Sequence, residues 1–148
     1  MAGLLYAIGE IFGCIGFGWL SDSWGRRGTL AFYLAGSILI TPIVFLYVRD
    51  PQIVVLLQLV NGFLTGGLYG WFAVHPPEMF PTSIRSTAIS LIFNSARFLA
   101  MFGPIIASSL IAFFGGYGPA ATTLASVFAV GLIALFFLPE TKGKPLPS

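Results

Sequence analysis

Gly18-Trp19-Leu20-Ser21-Asp22-Ser23-Trp24-Gly25-Arg26-Arg27 is the stretch that decides the fold. It is a short polar interruption between two long apolar runs, residues 3–20 and 30–48. Each run has the ~20 residues a helix needs to cross a ~30 Å hydrocarbon core. Outward from this stretch the pattern repeats. Apolar runs over 53–74, 86–114 and 119–138 follow, and 139–148 form a polar tail. The whole chain has 148 residues, 57% hydrophobic and 8% charged. A soluble domain is usually about 25% charged, and a disordered chain is poor in aromatics, whereas this one has fifteen Phe. The fold class is therefore an all-α integral membrane protein with five transmembrane helices.

The connections carry further detail. Three prolines in His75-Pro76-Pro77-Glu78-Met79-Phe80-Pro81 predict a loop and no continuous helix. His75 is accordingly read as a solvated loop residue. Pro104 predicts a kink in the fourth span, and Gly115-Gly116-Tyr117-Gly118 a flexible corner. Small residues spaced by four, at Gly9/Gly13, Gly62/Gly66/Gly70 and Ala121/Ala125/Ala129, predict closely packed helices. Cys14, the one cysteine, cannot form an intrachain disulfide and reads as a packing residue.

Charge sets orientation. Arg26, Arg27, Arg85, Lys142 and Lys144 lie in loops on one side, and Arg49 alone on the other. Basic loops stay cytoplasmic, so the expectation is a multi-pass protein of the plasma (inner) membrane with its C-terminus in the cytoplasm. The N-terminus then faces outside, which suggests a chain cut from something longer. A net charge of +2 without basic runs does not indicate nucleic acid. One His and no H-E-x-x-H, P-loop or G-x-S-x-G pattern leave no support for an enzyme, a metal or a cofactor.

The opening stretch also carries chemistry. Gly18-x-x-x-Asp22-x-x-Gly25-Arg26-Arg27 places a carboxylate at the end of one span and two arginines just beyond it. The glycines are read as permitting a tight turn. Asp22 can pair with Arg26 or with a helix N-terminus and latch one conformation; a plain topological anchor fits the same residues. This pattern resembles the signature loop of the major facilitator superfamily of secondary transporters. Two more segments resemble that family, Pro77-Glu78-Met79-Phe80-Pro81-Thr82-x-x-Arg85 and Pro139-Glu140-Thr141-Lys142-Gly143. The resemblance implies helices eight to twelve of a twelve-helix bundle. It adds Glu78 and Arg85 to the conformational latch of Gly18, Asp22, Gly25, Arg26 and Arg27. It also implies alternating access against an N-terminal half that is missing here and would be a partner.

Polar residues inside spans mark the candidate pathway, since they are costly there. Gln58, Asn61, Thr65 and Tyr69 share one face of the third span. In the fourth, Asn94 and Arg97 share a face with Ser90 and Ser108. Glu10 lies twelve residues before Asp22, about 18 Å deep at ~1.5 Å per residue, where an ionised carboxyl is costly and proton exchange is plausible chemistry. Arg97 lies equally deep and stays charged, so it needs a carboxylate or water. Asn94-x-x-Arg97 followed by Gly103-Pro104 is similar to organic-anion and metabolite proton symporters. The expected function is secondary active, proton-coupled symport of a small organic acid. The alternatives are a sugar or polyol permease and a truncated, non-transporting fragment. The expected partners are substrate, protons, the lipid bilayer and the other half, and no nucleic acid.

Overall fold

The structure, a computed structural model, describes residues 1–147. Five helices are long and apolar enough to cross a membrane, and no strand occurs among the described residues. They are α1 (Ala2–Trp24), α2 (Arg26–Tyr47), α3 (Pro51–Met79), α4 (Arg85–Phe114) and α5 (Tyr117–Leu135).

Local chemistry explains the ends and interruptions. Gly25 stops α1 at φ 89°, a conformation that favours glycine. Asp50 caps α3 by accepting the Gln52 N–H at 2.9 Å, with Pro51 in the first turn. In α2, Pro42 has no N–H to donate to the turn before it, and the helix widens over Ile43–Tyr47. The kink expected at Pro104 is a break at Met101–Phe102, with Gly103-Pro104 opening the next segment. Gly115 ends that segment in the left-handed conformation at φ 67°.

The predicted proline loop is not there. Helix α3 continues through His75, Pro76 and Pro77 to Met79. Proline's fixed φ fits a helix, and what it forfeits is one donor. That loss is offset here by side-chain ties from His75 and Glu78, described below. His75 is fully buried instead of solvated. Helix α1 likewise runs four residues past the expected end at Leu20, so Gly18 lies within a helix and makes no turn.

Helices α1 and α3 cross backbone to backbone. The Gly9/Gly13 stripe meets the Gly62/Gly66/Gly70 stripe: a Cβ on Gly9 would overlap the Leu59 carbonyl, one on Gly13 the Phe63 carbonyl, and one on Gly62 the Tyr6 carbonyl. In lipid, where apolar side chains gain nothing by leaving the solvent, such close approach supplies the association energy. Tyr33 of α2 fills the core beside this crossing. It stacks on Phe63, tilts against Phe17 and donates its hydroxyl to the Gly13 carbonyl at 2.8 Å. Helix α5 packs on α2, with Gly131 against Leu34 and Leu135 in the core. Helix α4 touches α3 and α5 and buries none of its residues.

Candidate functional site

At the end of the bundle where α1 turns into α2, Arg26 joins three elements. Its Nε and Nη2 donate to the two Glu78 carboxylate oxygens of α3 at 2.9 and 2.6 Å. Its Nη1 donates to the Ser21 carbonyl at 2.9 Å and to Asp22 at 3.1 Å in α1. A two-point guanidinium–carboxylate pair fixes direction as well as distance. The Thr141 hydroxyl of the tail also donates to Glu78.

Glu140 completes the cluster. The first helical amides of α2 point along the chain with no partner of their own, and Gly25 has no side chain to cap them. Glu140 takes that role from the far end of the sequence. It accepts from the Arg26 and Arg27 amides at 2.9 and 3.1 Å, and from those of Thr141 and Lys142 at 3.1 and 3.0 Å. Burial pushes this carboxyl upward, but the four N–H donors outweigh it and hold it below the usual carboxylate range. A Cβ on Gly25 would stand 2.8 Å from Glu140 Oε2, so this glycine is needed for space as well as for its positive φ. Lys142 Nζ closes the cluster on the Ser23 carbonyl at 2.6 Å.

The expected latch residues therefore separate. Gly25, Arg26 and Glu78 are central. Arg27 contributes its backbone N–H. Asp22, foreseen as the latching carboxylate, is at the rim. Its side chain is 76% exposed against 11% for Arg26, and exposed pairs are weak. Gly18 faces open space. Arg85 stands apart, donating to the Phe80 and Pro147 carbonyls at 3.1 and 3.2 Å. The reading of the sequence placed Glu140 in the family's tail segment but not in the site. The signal was the pairing of an uncapped helix start with a distant carboxylate, which only the fold reveals. His75 was read as a solvated loop residue because the prolines argued for a loop, and Trp71, inside the apolar run 53–74, was not singled out.

The pathway residues fall into two groups. Asn61 Nδ2 donates to Gln58 Oε1 at 3.1 Å, Thr65 Oγ1 to the Asn61 carbonyl at 2.7 Å, and Tyr6 of α1 pairs with Thr65 at 3.0 Å. Asn61 and Thr65 line a cavity of about 260 Å³ with Tyr6, Thr41 and Phe45. Asn61 is 6% exposed, and its Oδ1 has no hydrogen-bond partner among the described residues. Tyr69 belongs instead with Arg97, in a cavity of about 200 Å³ with Phe72 and Phe93. The Arg97 guanidinium lies over the Phe93 ring, 4.6 Å from its centre. Asn94 does not line that cavity. Its amide turns back to the Ser90 carbonyl at 2.8 Å. Glu10 is half-buried, its stem against Gly66. Neither Arg97 nor Glu10 makes an ion pair among the described residues. No group of three His, Cys, Asp or Glu converges on a metal-sized point among those residues.

Comparison with known proteins agrees with this architecture. The family described as Major Facilitator Superfamily matches residues 1–148. The chain is 34% identical over 142 residues to the cis,cis-muconate transport protein of Acinetobacter baylyi, covering 93% of this chain and 33% of that protein. It is 32% identical over 133 residues to an inner membrane metabolite transport protein of Escherichia coli, covering 87% and 30%. Human solute carrier family 22 member 11 is 37% identical over 101 residues, covering 66% and 18%. The chain thus spans about a third of the length of the first two relatives.

Proposed function

Because the chain belongs to the major facilitator superfamily, we propose that it forms helices eight to twelve of a secondary transporter carrying a small organic acid. One observation carries this reading. Arg97 holds a permanent charge inside a membrane-spanning helix, faces a cavity, and has no carboxylate partner among the described residues. A substrate carboxylate satisfies such a group by the two-point geometry that a guanidinium favours. The aromatic walls of Phe72, Phe93 and Tyr69 suit an unsaturated or apolar carbon body. The muconate relative supports a dicarboxylate of that kind.

The remaining roles follow from position. Glu10 is the proton carrier of this half, a half-buried carboxyl in α1 with no ion pair of its own among the described residues. The Arg26–Glu78–Glu140 cluster is the latch that holds one conformation of the alternating-access cycle. It lies on the cytoplasmic face of the plasma (inner) membrane with the C-terminus, because the basic loops gather there. An N-terminal half supplies the opposite wall of the pathway.

The test is Arg97→Lys in the assembled permease, with binding of labelled cis,cis-muconate as readout. Lysine keeps the charge and loses the fork. The expected result is about tenfold or greater weakening, the scale of one lost charge-assisted hydrogen bond, at unchanged protein level. Unchanged binding contradicts the anchor.

A second reading, an uncharged polyol as substrate, is favoured by the neutral cavity of Tyr6, Asn61 and Thr65. Its free acceptor at Asn61 Oδ1 calls for a hydroxyl donor. Uptake of a labelled polyol without competition from muconate decides for it.

A further inference from the structure

His75 is fully buried where α3 meets the tail, and both of its ring nitrogens are engaged. Trp71, one turn earlier, brings its indole nitrogen to 2.9 Å from Nδ1. The Pro139 carbonyl lies 2.9 Å from Nε2. The partners dictate the proton's place. An indole N–H only donates and a carbonyl only accepts. Nδ1 must therefore accept and Nε2 must donate, which is the neutral imidazole protonated on Nε2. A protonated ring would turn Nδ1–H against the indole N–H.

Pro139 immediately precedes Glu140, whose carboxylate caps the Arg26 and Arg27 amides. Pro76 and Pro77 give up two backbone donors in the same turn of α3. Among the described residues the tail contains no helix, so side-chain ties set its path across the end of the bundle. The charged groups facing this junction are Glu78 from α3, Glu140 from the tail and Arg26 from α2. Glu78 and Arg26 are spent on each other.

We infer that His75 is a positioning residue, a donor–acceptor bridge that sets the Pro139–Glu140 peptide so that Glu140 caps α2. The inference rests on the latch reading above and adds the residue that registers α3 against the latch. It explains why a helix carrying two prolines remains ordered to its end. It also explains why an imidazole fits here, since its neutral ring offers one acceptor and one donor together.

The experiment uses the full chain in lipid nanodiscs. Hydrogen exchange of the Arg26 and Arg27 amides reports capping by Glu140, and the side-chain ¹⁵N spectrum reports the His75 tautomer. H75F keeps the ring's bulk and removes both hydrogen bonds. It is expected to speed exchange at both amides about tenfold, the scale of one lost buried hydrogen bond. H75Q carries an acceptor and a donor and should retain protection. The ¹⁵N spectrum should show one neutral form protonated on Nε2. If H75F does not fold, W71F serves instead: the Pro139 carbonyl still holds the proton on Nε2, so the neutral ring should keep that tautomer while Nδ1, relieved of the indole donor, becomes free to take a second proton, and a neutral W71F ring protonated on Nδ1 overturns the bridge. Unchanged protection in H75F, equal loss in H75Q, or a wild-type ring protonated on Nδ1 each overturns the inference. Glu140→Ala separates it from the latch. If that variant leaves both amides protected, the latch contact itself fails, and the tautomer spectrum still decides the His75 bridge.

Discussion

Asp22 and Glu78 are both carboxylates beside Arg26, and burial makes them unequal. Asp22 is mostly exposed, whereas Glu78 shares two short bonds with a guanidinium withdrawn from solvent. Glu78→Gln should destabilise the folded bundle by about 2 kcal/mol, since hydrogen bonds to charged groups are worth about 1.5–3 kcal/mol. Asp22→Asn should cost less than about 1 kcal/mol, as exposed pairs do. Thermal or denaturant unfolding in detergent compares the two, and equal losses would contradict the ranking. Glu140 gives a pH dependence. Its carboxyl is held below the usual range in the folded protein. Its contribution is therefore present above the unfolded value, near 4.3, and is lost as pH falls through the lower folded one. Exchange protection of the Arg26 and Arg27 amides should hold at neutral pH and fall only in that acidic range. A loss centred above about pH 5 would contradict the assignment. Gly25→Ala should cost about 1–3 kcal/mol from the positive-φ backbone alone, before the crowding of Glu140. At this scale Arg26 and Gly25 were legible from the motif. The preference for Glu78 over Asp22 was not, because exposure is not written in spacing.

Helix α3 shows what an element's sequence conveys. Its glycine stripe told of close packing, and the structure identifies the partner as the Gly9/Gly13 stripe of α1. The proline rule failed at Pro76 and Pro77 because tertiary ties at His75 and Glu78 hold the turn that the backbone ladder gives up. The rule served at Pro104, where no neighbour buries the helix and the backbone breaks just before it. Two glycines of α1 separate packing from mere helix membership. Gly9→Leu drives a side chain into the Leu59 carbonyl and should destabilise the α1–α3 crossing by about 1–3 kcal/mol or more, as overpacking does. Gly18→Ala meets open space and should be neutral or stabilising by about 0.5–1 kcal/mol. Unfolding of the two variants side by side checks this, and similar losses would remove the crossing as the organising contact.

For the whole molecule, the five spans and the all-α class were legible because a bilayer demands long apolar helices, and composition records that demand. The division of the polar residues was not. Gln58, Asn61, Thr65 and Tyr69 share a helical face in sequence, yet a widened turn at Gly62–Gly66 and a tightened one at Gly67–Tyr69 separate them. Tyr69 thereby joins Arg97 in one cavity while Asn61 and Thr65 line another. The two cavities differ in charge, and the proposed function assigns the substrate to the charged one. The most direct measurement is uptake by the assembled permease, in proteoliposomes, of a labelled carboxylate and of its uncharged amide analogue, in wild type and Arg97→Lys. The account predicts that the carboxylate is carried and the amide is not, and that Arg97→Lys raises the KM for the carboxylate about tenfold or more. Equal transport of the amide, or an unchanged KM in Arg97→Lys, would contradict it.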